Sequence, residues 1–226
     1  MKKSKHVVIY TGAGVSTSSN IPDYRGPKGI WTLKEKGEKL GETHFLDEAV
    51  PSFGHLAIAS LHKAGYIHHV VSTNVDGLHI RSGIPIHQIS ELHGNIYKEI
   101  CDTCKTSFYR SFDVLGRVKK RYTGRLCEQA GCDGKLKDSI VNFGEYLPEQ
   151  ELERAKQESK KADLTIILGT SMRVAPANIL PTYSYRKGFP LCIINLQKTN
   201  FDSDATVRLF GETDVTLGYI LEHLQL

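Results

Sequence analysis

The sequence predicts an α/β fold in which a doubly wound parallel sheet is interrupted by a small cysteine-rich insert. Four short runs rich in Val and Ile are nearly continuous in apolar residues, which is typical of parallel strands covered on both faces. These runs are His6–Tyr10, Ile67–Ser72, Asp163–Gly169 and Pro190–Asn195. Segments with helical periodicity lie between them, and this alternation indicates a doubly wound sheet. Four of the five cysteines lie within residues 101–132 and mark the insert.

Three segments carry the start and stop signals of helices. Ser52–Gly65 begins with a Ser cap and ends with Gly, and Pro148–Asp163 has acidic residues early and basic residues late. Glu212–Leu226 is predicted to be the closing helix. A further, first helix is expected after the glycine-containing turn that follows the first strand. Ile30–Ala49 is polar and contains glycine, so it is predicted to form a loop or a short helix over the site.

The composition fits a globular chain with a sizeable core. Hydrophobic residues make up 40% of the 226 residues, and the formal net charge is only +4. This mild basicity is compatible with an anionic ligand and lies far from the composition of nucleic-acid-binding proteins. No run is long and apolar enough to span a bilayer, and the apolar stretch Val7–Tyr10 is too short for a secretion signal. We therefore predict an intracellular protein without a membrane partner.

A glycine turn follows the first strand. Gly12, Ala13 and Gly14 let the backbone approach a pyrophosphate and point amide groups toward it. Thr17 occupies the place of the third glycine of the usual dinucleotide motif, and no acidic residue follows about 20 residues later at a strand end. These two departures disfavour an ordinary dehydrogenase. A tight turn without a ligand remains the alternative interpretation of this motif.

The loop after the glycine turn carries groups that suit a nucleotide. Arg25 can meet a phosphate and Tyr24 can cover a ring, directly after Asp23. The alternative is a surface loop held by a salt bridge. Trp31 is the only Trp of the chain, and a lone Trp is more often part of a core than of a ligand site.

Two further motifs place polar groups at strand ends. Thr73–His79 contains Asn74 and Asp76, and Glu91–Asn95 contains His93. Open α/β sheets bind ligands at the carboxyl ends of their strands, and a histidine can accept and return a proton near neutral pH. His93 is therefore the candidate base among the ten histidines. Asp76 precedes a glycine, so it can instead be a turn residue.

The clustered cysteines have the spacing of a metal site. Cys101 and Cys104 are separated by two residues, and Cys127 and Cys132 by four. Two such pairs close a tetrahedral zinc site, and a set of four thiolates indicates a structural role. An odd cysteine count with this spacing favours metal over disulfides. A nucleic-acid-binding ribbon stays open as the alternative because basic residues lie between the pairs, namely Lys119, Lys120, Arg121 and Arg125.

These patterns predict two units. A Rossmann-like domain is expected from residues 1–95 and 139–226, and a small zinc-binding module from residues 96–138. Residues 20–50 are predicted to form a loop that covers a bound cofactor.

Together the motifs resemble those of the sirtuin family, in the same order and over essentially the whole chain. They are GAGVSTSSNIPDYRG (12–26), TNVDGLH (73–79), ELHGN (91–95), the two cysteine pairs, VNFGE (141–145), GTSMRVAPA (169–177) and INLQKT (194–199). The segment around Arg25 is most similar to the class IV branch, which includes nuclear vertebrate members. The resemblance implies an NAD-dependent protein-lysine deacylase with structural zinc, found in the nucleus rather than the cytoplasm. Acyl-lysine proteins, histone tails and a weak nucleosome or nucleic-acid contact are the partners it suggests.

The resemblance also implies roles for individual residues. His93 is the expected catalytic base, and Asn74 and Asp76 are expected to position the nicotinamide ribose and carboxamide. The other expected NAD-binding residues are Gly12, Ala13, Gly14, Thr17, Asp23, Tyr24, Arg25, Trp31, Thr73, Gly169, Thr170, Ser171, Asn195, Leu196, Gln197 and Thr213. An acyl-lysine peptide is expected to enter as an added strand and to contact Val141, Phe143, Gly144, Glu145, Met172 and Val174.

One position departs from the family pattern. Thr73 stands where the family usually has Gln, and its shorter hydroxyl does not reach as far toward the ribose. This departure motivates a second hypothesis, a mono-ADP-ribosyltransferase or weak NAD hydrolase on the same fold. A third hypothesis is a binding module that recognises acylated or nucleosomal partners without turnover.

Overall fold

Six parallel strands form the larger sheet. The computed structural model describes residues 1–39, 48–115 and 121–226. In chain order the strands of this sheet are β1 (Val7–Thr11), β2 (His69–Ser72), β3 (Ile89–Glu91), β8 (Leu164–Leu168), β9 (Leu191–Ile194) and β10 (Val207–Leu209). They lie side by side in the order β10–β9–β8–β1–β2–β3. The chain therefore winds outward in both directions from β1, as the sequence predicts for a doubly wound sheet.

The four predicted strands are confirmed as β1, β2, β8 and β9, and all pair in parallel. Successive residues of β1 serve opposite faces: Val7 and Ile9 pack into one apolar cluster, and Val8 and Tyr10 into the other. This two-sided burial explains why the runs are continuously apolar. Edge strand β10 was not predicted, because its three residues are half-exposed and include Arg208.

The predicted helices are confirmed as α2 (Phe53–Lys63), α4 (Glu149–Lys161) and α6 (Thr213–Leu224). Ser52 caps α2 in a reciprocal arrangement: the His55 amide donates to Ser52 Oγ at 3.3 Å, and the Ser52 amide donates to His55 Nδ1 at 3.2 Å. Two further α-helices are short, namely α3 (Leu78–Arg81) and α5 (Thr182–Tyr185).

The segment between β1 and α2 departs from the expected helix. The predicted first helix is wrong: two 3₁₀ turns, Ala13–Val15 and Thr17–Ser19, stand in its place. Regular helix is interrupted because the Gly14 amide donates across the sheet to the Gly169 carbonyl, at 2.8 Å. Helix α1 (Ile30–Lys36) then forms at the start of the segment Ile30–Ala49, which was predicted as a loop or short helix. Residues 40–47 of that segment lie outside the described part of the chain.

A second, four-stranded antiparallel sheet contains the clustered cysteines. Its strands are β4 (Lys98–Cys101), β5 (Ser107–Tyr109), β6 (Tyr122–Leu126) and β7 (Lys135–Asp138), in the order β5–β4–β7–β6. All four lie within the predicted module boundaries, 96–138. Among the described residues, no helix is long and apolar enough to cross a bilayer.

Replacing Ser52 by Ala is expected to destabilise the fold by about 1–2 kcal/mol. The substitution removes the α2 cap and a second hydrogen bond, in which Ser52 Oγ donates to the Val15 carbonyl at 2.9 Å. Urea unfolding of the wild type and variant measures the difference. Ser203→Ala is the control, because Ser203 is exposed and should change stability by less than about 0.5 kcal/mol. Equal losses in both variants would contradict the role of the cap.

Candidate active site and metal centre

A cavity of about 710 Å³ opens at the carboxyl ends of the parallel strands. It lies where β1 and β8 adjoin, the point at which the winding of the sheet reverses and ligands bind in such folds. Every residue predicted to contact NAD or peptide lines it. These are Gly12, Ala13, Gly14, Thr17, Asp23, Tyr24, Arg25, Trp31, Thr73, Asn74, Asp76, His93, Val141, Phe143, Gly144, Glu145, Gly169, Thr170, Ser171, Met172, Val174, Asn195, Leu196, Gln197 and Thr213.

The glycine turn after β1 lies directly against the end of β8. A Cβ atom added to Gly14 would stand 2.7 Å from the Gly169 carbonyl oxygen, and one added to Gly12 would stand 2.6 Å from Thr170 Cβ. Gly169 itself has a φ of +56°, which favours glycine. The glycines are therefore required by the close approach of two protein loops, besides any approach to a ligand.

Most amides of the glycine turn are already engaged. The amides of Gly12, Gly14, Val15 and Ser16 donate to backbone carbonyls at 2.8–3.3 Å. Within the described residues, this leaves the amides of Ala13 and Thr17 without a backbone acceptor. The prediction that the turn presents amides to a ligand thus applies to these two groups.

Polar side chains form a connected group on the floor of the cavity. Asn74 Nδ2 donates to the Gly12 carbonyl and to Ser16 Oγ, each at 3.1 Å. Ser16 Oγ in turn donates to Asp76 Oδ2 at 2.7 Å, and the Leu78 amide donates to Asp76 Oδ1 at 2.9 Å. Asp76 therefore both starts the turn into α3 and lines the cavity. Sequence reasoning missed Ser16, although it lies within the glycine motif.

His93 lies in the turn after β3 and is half-buried. Its Nδ1 contacts the Thr73 carbonyl oxygen at 3.1 Å, so Nδ1 carries the hydrogen and Nε2 is left as a proton acceptor. Burial lowers the pKa of His93, and the hydrogen bond to Thr73 partly offsets this. The imidazole is therefore neutral at physiological pH, as a base must be.

Thr73 is turned away from the cavity centre. Its amide and its Oγ1 both donate to the Thr11 carbonyl, each at 3.1 Å. The hydroxyl is thus held against the end of β1. At this position of the cavity wall a ligand therefore meets a short hydroxyl side chain and not a longer polar one such as Gln.

Aromatic and cationic side chains cover one side of the cavity. The Trp31 ring lies 5.2 Å from the Tyr24 ring and 5.9 Å from the Phe143 ring. The Arg25 guanidinium stacks over Trp31 at 4.2 Å, and its Nη1 donates to Ser171 Oγ at 3.1 Å. Trp31 is thus part of the cavity wall rather than of the core.

The charges at this wall favour an anionic ligand. Arg25 and Arg173 both line the cavity, and neither forms an ion pair with a described acidic residue. Burial lowers the pKa of Arg25, and the neighbouring Arg173 lowers it further. Asp23 accepts at Oδ1 from the Gly26 amide at 2.8 Å and is not among the described ion pairs of either arginine. Sequence reasoning assigned Arg173 no role.

The opposite end of the cavity is formed by β9, the glycine turn and the start of α6. Asn195 Nδ2 donates to the Gln197 carbonyl at 2.9 Å, which shapes the loop after β9. Asp214 accepts from Ser18 Oγ at 2.6 Å and from the Gly54 amide at 2.9 Å. Ser18 and Asp214 line the cavity but were not predicted, since no local motif distinguishes them from ordinary turn and helix-start residues.

Two further backbone segments line the cavity together with His93. On one side, the Val141 amide donates to the His93 carbonyl at 3.0 Å, and Phe143 is 79% exposed. On the other side, Met172 has a φ of +54° and is buried, which directs the chain from β8 toward Val174.

The four clustered cysteines fit a tetrahedral metal. Cys101 and Cys132 Sγ lie 3.7 Å apart, Cys104 and Cys127 Sγ lie 3.6 Å apart, and all four sulfurs lie within 4.8 Å of one another. Zinc–sulfur bonds of about 2.3 Å in a tetrahedron require separations of about 3.8 Å, whereas a disulfide needs about 2 Å. None of these cysteines lines the cavity, which indicates a structural zinc site.

Comparison with known proteins agrees with this geometry. The Sir2 family matches residues 34–176. The chain is 43% identical over 227 residues to NAD-dependent protein deacetylase SRT1 of Arabidopsis thaliana, covering 100% of this chain and 48% of SRT1. It is 42% identical over 231 residues to NAD-dependent protein deacetylase Sirt6 of Drosophila melanogaster, covering 99% of this chain and 73% of Sirt6. This chain thus spans about half the length of the plant SRT1 proteins.

A solved structure shows the same fold. The complex described as Sir2–p53 peptide–NAD+ superposes with a TM-score of 0.77 at 33% identity, covering 99% of this chain and 95% of that chain. The match includes both the parallel sheet and the small cysteine-containing sheet.

Metal analysis of the purified protein should find one zinc per chain. Cys101→Ala is expected to abolish zinc binding and to lower stability by more than about 2 kcal/mol, because binding energy at a structural site is folding energy. Cys192→Ala is the matched control, since Cys192 lies in β9 outside the cluster and its loss should leave the zinc content unchanged. Stoichiometric zinc in the Cys101 variant would contradict the assigned site.

Proposed function

This chain belongs to the Sir2 family, and on that premise we propose that it removes acyl groups from protein lysines with NAD as co-substrate. One water would be consumed as the bond between the acyl group and the lysine nitrogen breaks, and the products would be the free lysine, nicotinamide and O-acyl-ADP-ribose. The observation that carries the proposal is that one cavity at the switch point of the sheet is lined both by a neutral imidazole and by two guanidinium groups that form no ion pair with a described acidic residue. That cavity, of about 710 Å³, has room for a dinucleotide and an entering side chain.

The residues present fit the pyrophosphate and ribose portions of NAD. Neither Arg25 nor the neighbouring Arg173 pairs with an acidic residue in the described part of the chain. The amides of Ala13 and Thr17 donate to no described backbone carbonyl. These groups would bind the pyrophosphate. Asn195 and Thr213 would hold the adenosine portion at the other end of the cavity, and Trp31 would cover the nicotinamide ribose.

The chemistry requires an electrophile, a nucleophile and a base. When bound, NAD supplies a glycosidic bond weakened by the positive charge of its nicotinamide ring. Asn74 and Asp76 would orient the ribose and carboxamide, and the site would present the acyl oxygen of the lysine to the sugar carbon. His93 Nε2 would accept the proton of a ribose hydroxyl, while the Thr73 carbonyl holds Nδ1–H.

We propose that the peptide binds between Val141–Glu145 and Ser171–Val174 as an added strand. Both segments line the cavity that contains His93, and exposed Phe143 offers an apolar contact. The four zinc ligands would stabilise the small sheet and take no part in the reaction. Histone tails are the proposed substrates and the nucleus the proposed location, both on the family resemblance.

Nucleic-acid contact through the small sheet has little support among the described residues. Arg110 pairs with Glu99 and Glu128, and Arg125 pairs with Glu99. Arg121 pairs with Asp138 and Glu145. These three guanidinium groups are thus neutralised within the protein. Lys119 and Lys120, named in the same prediction, lie outside the described residues.

His93→Tyr is expected to lower nicotinamide release by at least about 100-fold, because a positioned base contributes that much or more. The measurement uses NAD with peptides carrying acetyl to myristoyl lysine, read by mass spectrometry. In the wild type, kcat should fall only as pH drops below about 6.5, because burial lowers the pKa of His93 and keeps it neutral above that value.

The control for this experiment is His87→Tyr, which changes an exposed histidine outside the cavity. It should retain wild-type activity. Full activity in the His93 variant would remove this residue from its role. Transfer of label from NAD to protein, with no deacylation at any acyl length, would favour the ADP-ribosyltransferase hypothesis instead.

Thr73→Gln is expected to raise kcat/KM for NAD by about tenfold, the value of one good hydrogen bond. The longer amide would extend past the Thr11 carbonyl, which now holds the hydroxyl, into the cavity. Thr73→Ser is the matched control, since it keeps the hydroxyl and should behave as the wild type. Lower kcat/KM in the Gln variant would show that this cavity wall is adapted to a short side chain.

A further inference from the structure

A buried polar cluster joins the two sheets behind the cavity. We call it the seam cluster, and its members are Glu91, Asn95, Lys98, Tyr109 and Glu151. They come from the end of β3, the turn that follows, β4, β5 and α4. None of them lines the cavity, and the proposed reaction uses none of them. Four of the five are at least nine-tenths buried, which is costly for charged groups unless they are mutually satisfied.

Glu91 is the centre of this cluster. Its Oε1 accepts from Asn95 Nδ2 at 2.5 Å, and its Oε2 accepts from Tyr109 Oη at 3.1 Å. Its amide donates to Glu151 Oε2 at 3.1 Å. One residue is thus hydrogen-bonded to β5, to α4 and to the turn that carries His93.

The remaining charges of the seam cluster compensate one another. Glu151 pairs with Lys98 Nζ at 2.9 Å and with Arg154. Arg154 Nε also donates to Ser90 Oγ at 3.3 Å, and Ser90 Oγ contacts His69 Nε2 at 2.9 Å. The groups that face Glu91 are therefore Lys98 and Tyr109 from the small sheet, Glu151 and Arg154 from α4, and His69 from β2 through Ser90.

The Glu91–Asn95 hydrogen bond closes the turn in which His93 is the middle residue. Gly94, with a φ of +85°, packs so tightly that an added Cβ would lie 2.0 Å from the Ser139 carbonyl oxygen. The Asn95 amide donates to Ser139 Oγ at 3.0 Å, and Asn95 Oδ1 accepts from the Tyr97 amide at 2.8 Å. The backbone of this turn is therefore held on both sides, and Glu91 is the side chain that closes it.

We propose that Glu91 is a positioning residue for His93, through which the small sheet holds the imidazole in place against the cavity. Its carboxyl group links Asn95 to Tyr109 and so fixes the turn without touching a ligand. The inference rests on the proposed function where the test measures kcat. The second test, the pKa of His93, does not require that function.

Both protonation states of Glu91 can keep these contacts, with different strength. Burial raises the pKa of Glu91 to about 7, although Lys98 and the Asn95 hydrogen bond oppose the shift. The ionised carboxylate accepts from Asn95 and from Tyr109, and such charge-assisted hydrogen bonds are the stronger ones. The protonated acid can accept from Asn95 and donate to Tyr109 Oη. Glutamine can likewise accept from Asn95 through its carbonyl oxygen and donate to Tyr109 Oη through its amide nitrogen.

The kinetic test compares three variants with the wild type. Glu91→Ala is expected to lower kcat by about 10- to 100-fold, as a small misplacement of a catalytic group does, with KM for NAD within about twofold. Glu91→Gln should match the wild type at pH 6 and fall several-fold behind it at pH 8, where only the wild type carries the charge. Glu99→Gln is the matched control, because it removes a fully buried carboxylate from β4 that contacts no residue of the seam cluster.

A second measurement does not depend on activity. The pKa of His93, read by NMR titration of its ring, should move up toward 6.5 in Glu91→Ala as the imidazole loosens from its buried position, and should stay unchanged in Glu99→Gln. Tyr109→Phe, which removes one hydroxyl, should shift it in the same direction by less and serves if the Ala variant does not fold.

The outcomes separate the two proposals. An unshifted His93 pKa, or a kcat loss equal to that of Glu99→Gln, would overturn the role of Glu91. A constant ratio of wild-type to Glu91→Gln activity from pH 6 to 8 would also overturn it. Absence of deacylation by the wild type, together with the expected pKa shift, would contradict only the proposed function.

Discussion

The contact between the glycine turn after β1 and the end of β8 determines most of this site. Two neighbouring parallel strands bring their carboxyl ends together, and the Gly14 amide then donates to the Gly169 carbonyl at 2.8 Å. Because any side chain at either glycine would collide with the other loop, the two loops meet backbone to backbone. Because of this close approach, 3₁₀ turns take the place of a regular helix. The same turn carries the Gly12 carbonyl and Ser16, which link Asn74 to Asp76 by hydrogen bonds.

The distribution of satisfied and unsatisfied groups then gives the cavity its chemistry. On its floor, polar side chains are hydrogen-bonded to one another and to backbone, so they are rigid before any ligand binds. On its wall, Arg25 and Arg173 have no acidic partner among the described residues, and the rings of Tyr24 and Phe143 lie beside Trp31. Between them, burial and one hydrogen bond leave His93 neutral with a single free nitrogen. An anionic, ring-containing ligand and a proton transfer are what this arrangement serves best.

The small sheet is joined to the parallel sheet by buried hydrogen bonds and an ion pair. Four thiolates hold its distant end, whereas Lys98 and Tyr109 reach from its near strands into the seam cluster. The joint is buried and charged, so it can form only when β3, α4 and both strands of the small sheet are in place together. Stability at the metal site and geometry at His93 are in this way connected through Glu91.

Local patterns were sufficient for the four apolar strands β1, β2, β8 and β9, the three long helices, the cysteine set and the motifs whose residues line the cavity. These succeed because apolar periodicity, caps and ligand spacing act over short distances along the chain. Other features arise only when distant segments meet. Edge strand β10 forms because β9 offers it a partner, and the first helix is lost because Gly14 bonds to a residue 155 positions later (169 − 14). No local motif predicts the cavity positions of Ser18, Arg173 and Asp214 or the hydrogen bond between Glu91 and Glu151. These features depend on residues that are distant in the sequence. The chain encodes which groups stand at each strand end, and the packing of the two sheets decides which of them touch, since hydrogen bonds and burial depend on distance in space.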